Sequence, residues 1–228
     1  MTDTDRFPDP VLRETVLAPL FDAMAAQVAG HVAAVDRAHL VMLAETGILP
    51  QADAARIARA LEAVQAATGP DRPAGTGGHE DGVPRVEHEL TRRLGDLGGA
   101  LDTARSRAET DHTVLKMALM ERAGALMAEG LALAEALRTR AEDEADTPIV
   151  AYSHGQPAQI TTFGHYLAGV LETLLSDLER VDFSTDHLLQ CPMGAGTGPT
   201  PRLPVDRPRV AALLGLCEPT LRAHAAAA

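Results

Sequence analysis

The chain has 228 residues, enough for one large domain or two small ones, and 46% of them are apolar, so a core can be buried. A net charge of −12 argues against a nucleic-acid partner, which needs a basic face, and no apolar run approaches the ~18 residues of a membrane span. Aromatics make up only 3%, Trp is absent, and alanine and leucine dominate, which points to an all-α protein with closely spaced helices.

The start, MTDTDRFPDP, is polar and acidic, unlike a signal peptide, and residues 1–9 read as frayed. Pro19 suits a first helical turn, and a helix is expected from there to Ala34 with the stripe Leu20, Met24 and Val28. A second helix is expected from Val35 to Glu45, carrying Leu40 and Leu43, with Gly47 as its C-cap. Ile57, Leu61 and Val64 stand at helical spacing in a third, Gln51 to Ala66. Residues 67–83 are rich in Gly and Pro and read as a linker. A short helix from Pro84 to Leu94 follows, broken by Gly95, Gly98 and Gly99.

The longest pattern runs from Arg107 to Ala145. Leu119, Ala123, Leu126, Gly130, Leu133 and Leu137 alternate at spacings of four and three, the seam of a helix packed in a bundle. A second long helix is expected from Gln159 to Val181, with the stripe Phe163, Leu167, Val170, Leu174, Leu178 and Val181. Two long helices joined by one connection form an antiparallel pair. Such a pair makes no core alone, so further helices must come from this chain or another. From Gln190 on the tail reads as loop, apart from a short helix from Arg207 to Leu214. The two cysteines, Cys191 and Cys217, have no metal-ligand spacing and are expected as buried thiols in a reducing cytosol. A small N-terminal helical domain over 1–100 and part of a long bundle over 101–228 describe the whole.

Three stretches carry chemistry. Between the long helices lies Thr147 to Tyr166, TPIVAYSHGQPAQITTFGHY, bracketed by Pro148 and Pro157 and read as a loop. His154 in it can move protons near neutral pH, and Ser153 and Gln156 can bind a carboxylate or amide; taken alone, the stretch fits a polar loop with a satisfied histidine better. Arg105, Ser106 and Arg107 precede the longest helix, where guanidinium groups and backbone N–H groups suit an anion; an ordinary helix start with surface arginines is the alternative. The third is Pro192 to Gly198, PMGAGTG, which lacks the lysine of a phosphate-binding P-loop. It either wraps a ligand or simply connects. His112, His165, His187 and the early histidines read as surface or core residues.

In this order and separation the three stretches resemble the argininosuccinate lyase family of the fumarase/aspartase superfamily. ARSRAE at Ala104 to Glu109 is similar to the family's GRSRND, and YSHGQPAQITTFGHY at Tyr152 to Tyr166 to YTHLQRAQPITFGHW. PMGAGTGPTP followed by Pro204–Val205–Asp206–Arg207 is similar to PLGSGALAGT followed by PIDR. EDGVPRVEHEL at Glu80 to Leu90 and RAHLVMLAETGIL at Arg37 to Leu49 look like the family's N-terminal domain.

The resemblance implies a mostly helical fold whose central bundles pool into a homotetramer, with each active site built from three chains. It implies a cytoplasmic C–N lyase of arginine biosynthesis with no metal or cofactor. The reaction is β-elimination: a proton leaves the carbon next to a carboxylate, the C–N bond breaks, and fumarate and an amine product (arginine) leave. It implies His154 as the catalytic histidine, and Ser106, Arg107, Ser153 and Gln156 as groups that bind a small anionic substrate. Ala108 stands where the family has asparagine, and Asp102 where it has histidine. The family's GSSxMPxKxN loop has no counterpart up to Ala228, so the resemblance is to the N-terminal half. A complementary lyase half is then an expected partner, and a non-catalytic assembly subunit is the alternative function.

Overall fold

The computed structural model describes residues 9–67, 82–196 and 203–221. The frayed start, most of the 67–83 linker, the end of the glycine-rich stretch and the terminal alanines lie outside them. Among the described residues helices dominate, as the composition implies. They are α1 (Pro10–Leu12), a π-helical turn (Arg13–Leu17), α2 (Ala18–Glu45), α3 (Gln51–Ala67), α4 (Gly82–Leu94), α5 (Arg107–Asp143), α6 (Phe163–Thr185) and α7 (Arg207–Leu213). Two 3₁₀ segments (Gly95–Asp102, Asp186–Leu189) and four strands complete the order: β1 (Pro148–Ser153), β2 (Gln156–Thr162), β3 (Gln190–Cys191) and β4 (Glu218–Pro219).

The break expected between Ala34 and Val35 is absent, and α2 runs through it. No breaker stands there, and the buried positions Val32, Val35, His39 and Met42 keep helical spacing across the junction. Of the stripe expected nearer its start, Leu20 and Met24 lie outside the described side chains, and Val28 is half-buried.

The chain divides into two compact units. The first holds the described residues of Met1–Ala118 together with those of Leu189–Ala228. In it α3 buries Ala54, Ile57, Leu61 and Val64, a face that repeats every three or four residues. Met42 and Leu43 of α2, Leu90 of α4, Leu101 of the 3₁₀ turn and Val210 of α7 join the same core, each 1% exposed or less. Full burial of each such side chain contributes about 1.5–3 kcal/mol. The strands β3 and β4 pair in parallel within this unit, where the sequence reads as loop. Neither is longer than two residues, too short to show a period-2 pattern.

The second unit is Leu119–Leu188. It contains the later part of α5, the β1–β2 hairpin and α6. Gly164 marks a close backbone approach: a Cβ there would stand 2.4 Å from the Ala141 carbonyl oxygen. The Gly164 N–H donates to the Glu144 carbonyl at 2.9 Å, which fixes where α6 starts against the end of α5. Ala134, Leu167 and Leu178 are buried, but Leu119, Leu126, Leu133 and Val170 of the expected seams are 40–56% exposed within this chain. The helix α6 starts at Phe163, four residues later than the pattern suggests, because Gln159 to Thr162 belong to β2. Thr162 caps it, its hydroxyl accepting from the His165 N–H at 3.2 Å.

Candidate active site

In the first unit, the turn Thr103 to Ser106 leads into α5. Ala104 there has φ +60, a left-handed backbone that an alanine adopts only when its surroundings impose it. Those surroundings are polar and buried. His39 of α2 holds the Thr103 carbonyl through Nε2 at 2.9 Å. Burial, reinforced by the Arg105 charge, pushes the His39 pKa down to about 4, so the ring is neutral at pH 7 and Nε2–H donates.

Arg105 is turned into the interior, toward carboxylates of this chain. Its side chain is 4% exposed and lies between Asp36, at 2.7 Å, and Asp102, at 2.5 Å. This corrects the reading of two arginines presented together: the first serves the interior, and only Arg107 remains outside. Asp36 is 1% exposed, and its burial pushes the carboxyl up against the pull of Arg105.

Ser106 is the N-cap of α5. Its Oγ accepts from the Glu109 N–H at 3.4 Å, and Glu109 Oε1 accepts from the Ser106 N–H at 3.1 Å. This is a reciprocal S-x-x-E capping box, a pattern the sequence itself displays. Arg107, half-exposed on the first turn, lies 3.5 Å from Asp111. Two further residues that hold this turn are therefore Glu109 and His39. The first had the capping signal; the second had none, since burial of a histidine on α2 is a tertiary fact.

The described part of the glycine-rich stretch is packed and not a loose connection. Pro192 to Ala195 are buried, and Gly196 gives its N–H to Glu109 Oε2 at 2.7 Å. Arg207 holds the other side, donating to the Met193 carbonyl at 3.3 Å and the Thr220 carbonyl at 2.5 Å. Cys191 is buried and its thiol is pushed up by desolvation, whereas Cys217, expected to be buried, is exposed on the approach to β4. Both are free thiols.

The second unit carries the other candidates. The stretch read as a loop is a β-hairpin: Ser153 pairs with Gln156 across a two-residue turn of His154 and Gly155. Both turn residues have positive φ, +49 and +78, as a tight I′-type connection requires. Histidine tolerates that region better than most residues, and glycine without penalty. The register shifts between Val150 and Tyr152, so Ala158 and Gln159 face Ala151 as a bulge beside Pro157. The prolines are compatible with strands here because, among the described residues, the ribbon has only these two strands, and a missing N–H on an edge is tolerated. Ser153, His154 and Gln156 are all exposed at the apex.

The candidates therefore fall into two groups: Ser106 and Arg107 at the start of α5, and Ser153, His154 and Gln156 on the hairpin. Among the described residues no cluster of three His, Cys, Asp or Glu could hold a metal. No described helix is long and apolar enough to cross a membrane.

The chain is 47% identical over 219 residues to argininosuccinate lyase 2 of Agrobacterium fabrum, a match that covers 96% of this chain and 44% of that protein. It is 37% identical over 191 residues to the argininosuccinate lyase of Pyrobaculum arsenaticum, covering 83% of this chain and 43% of the relative. It thus spans less than half the length of these curated relatives. Among solved structures, EDDS lyase in complex with formate superposes with a TM-score of 0.82 at 28% identity, over 96% of this chain and 43% of that one. A fumarate lyase from Mesorhizobium sp. BNC1 shares the fold at 18% identity and a TM-score of 0.71, over 89% of this chain and 49% of the other. The sequence profile of the family described as "Lyase" matches residues 22–226, and the chain belongs to that lyase family.

Proposed function

We propose that the chain forms part of an argininosuccinate-lyase-like C–N lyase that splits an N-substituted aspartate into fumarate and an amine product, arginine for argininosuccinate itself. The observation that carries this reading is the 47% identity to an argininosuccinate lyase across 96% of the chain. In the reaction a base takes the proton next to the carboxylate. Its electron pair forms the new double bond, and the C–N electrons leave on nitrogen, which takes up a proton. Arg107 and the capped start of α5 suit the anionic end of the substrate, since guanidinium and helix N-terminus both favour negative charge. Ser153 and Gln156 offer hydrogen bonds to a carboxylate or amide. His154, presented at the apex of a two-residue turn, is the candidate proton donor or its organiser.

The reading includes assembly. Leu126 and Leu133 of α5 are more than half exposed, as are Tyr152 and Ile160 of the hairpin, which supports cover from other chains, as a homotetramer or with a complementary lyase half. A cytoplasmic setting, supported by two free thiols, completes it. The exposed leucines also favour a second reading, an assembly subunit that packs with a complete lyase.

Fumarate formation from argininosuccinate, followed by its ultraviolet absorbance, tests the first reading with the chain alone and with any complementary half. His154→Asn is expected to lower the rate about 10²–10⁴-fold if the ring moves a proton. No fumarate from argininosuccinate or related N-substituted aspartates, in either preparation, refutes the lyase reading. Light scattering that shows a folded monomer binding no lyase refutes the assembly-subunit reading.

A further inference from the structure

In an ordinary capping box the glutamate is a surface residue that uses one oxygen to reach back to the N-cap N–H. Glu109 departs from this in two ways. It is 1% exposed. Its second oxygen is also occupied: Oε2 accepts from the Gly196 N–H at 2.7 Å, across a sequence separation of 87 residues. One side chain thus joins the turn that presents Ser106 and Arg107 to the packed loop Met193–Gly196.

We propose that Glu109 is a positioning residue that straps the glycine-rich loop to the start of α5 and so sets the site where Ser106 and Arg107 meet an anion. The role in anion binding rests on the lyase reading above; the strap itself does not. The chemistry selects glutamate. Two N–H donors from different directions need two acceptor oxygens, which only a carboxylate supplies. An amide in the same place would turn its NH₂ toward one of the N–H groups. Aspartate is one methylene shorter and cannot span both. The loop has a second anchor at its other end, where Arg207 holds the Met193 carbonyl, so loss of Glu109 frees the Gly196 side alone. A buried carboxylate is tolerated only when its oxygens are paired, and here each has a donor.

Amide hydrogen exchange on the whole chain, with fumarate as the probe ligand, tests the proposal. In the wild type the Gly196 amide is expected to be protected although no strand or helix covers it. In Glu109→Gln its exchange is expected to speed up at least about tenfold, while Val114 and Ala118 further along α5 keep wild-type protection. Unprotected Gly196 in the wild type, a measurement that needs no variant, overturns the strap. So does unchanged Gly196 exchange in Glu109→Gln. Fumarate affinity separates positioning from support of the fold. Glu109→Gln is expected to weaken fumarate binding about tenfold, the loss of one charge-assisted hydrogen bond, with an unchanged circular dichroism spectrum. Equal fumarate affinity in variant and wild type overturns the positioning role. A wild type that binds no fumarate counts against the lyase reading instead, and the strap is then decided by Gly196 exchange.

Discussion

Arg105→Ala is the most informative single perturbation of the first unit. It removes the cation between two carboxylates of unequal burial: the Asp36 side chain is 1% exposed and that of Asp102 33%. Water can solvate Asp102, so the stranded charge is Asp36. Breaking a buried pair from one side costs about 3–5 kcal/mol, whereas a partly exposed pair is worth about 1 kcal/mol or less. The expected loss is therefore about 3–5 kcal/mol, nearly all of it through Asp36. Removing that carboxylate as well, in Arg105→Ala/Asp36→Ala, is expected to return about 2 kcal/mol or more. Urea unfolding should be followed by far-ultraviolet circular dichroism with hydrogen exchange at Leu40 to Leu43. The chain has no Trp, and its two tyrosines, Tyr152 and Tyr166, both lie in the second unit. Acid supplies an internal check. Burial already raises the Asp36 carboxyl and Arg105 opposes the rise, so without Arg105 it rises further. A folded pKa above the unfolded one means the native state binds the extra proton, so stability falls as pH rises through that window. The variant's deficit is thus smaller at about pH 5 than at about pH 7. A deficit below about 1 kcal/mol, or a double variant that loses as much as the two single losses added, would refute the reasoning.

His39 has the opposite sign. Its folded pKa lies at about 4 against 6.5 unfolded, so the neutral ring contributes stability that is complete above 6.5 and is lost as pH falls through 4. The loss is about 3 kcal/mol at most, and His39→Gln is expected to flatten that part of the stability–pH curve; identical slopes in variant and wild type would count against it. In the second unit, Gly164→Ala is expected to cost about 1–3 kcal/mol by melting, because the new Cβ meets the backbone of Ala141 and Ala145, which cannot turn aside. Gly169→Ala, with nothing within 4 Å, is expected to be neutral or to gain about 0.5–1 kcal/mol, and equal melting of the two variants would refute the close approach.

Helix positions were legible where spacing and breakers agree. The Ile57–Leu61–Val64 stripe, the stop at Leu94 and the start at Arg107 stand as the sequence implies. The errors share a cause. The hairpin departs from the expected loop because its strands are short, proline-bearing and exposed on most positions, which leaves no alternation of apolar and polar residues in the sequence. The late start of α6 has the same cause. Of the site, the three chemical stretches were legible as motifs, but the division of labour inside ARSRAE was not. Arg105 and Arg107 are equivalent on paper, and only the facing carboxylate on α2 makes the first an interior group.

By itself the sequence determined the all-α class, the two long helices with incomplete seams, and the motif order shared with argininosuccinate lyases. Composition and local periodicity act over a few residues and need no partner to be read. Tertiary structure alone decided that His154 sits on a two-residue turn, that Asp36 and His39 of α2 hold the turn before α5, and that Glu109 reaches Gly196. The first depends on pairing between the two strands of the hairpin; the other two depend on which groups are buried together, because the desolvation of a carboxylate or imidazole is set by neighbours far away in the chain.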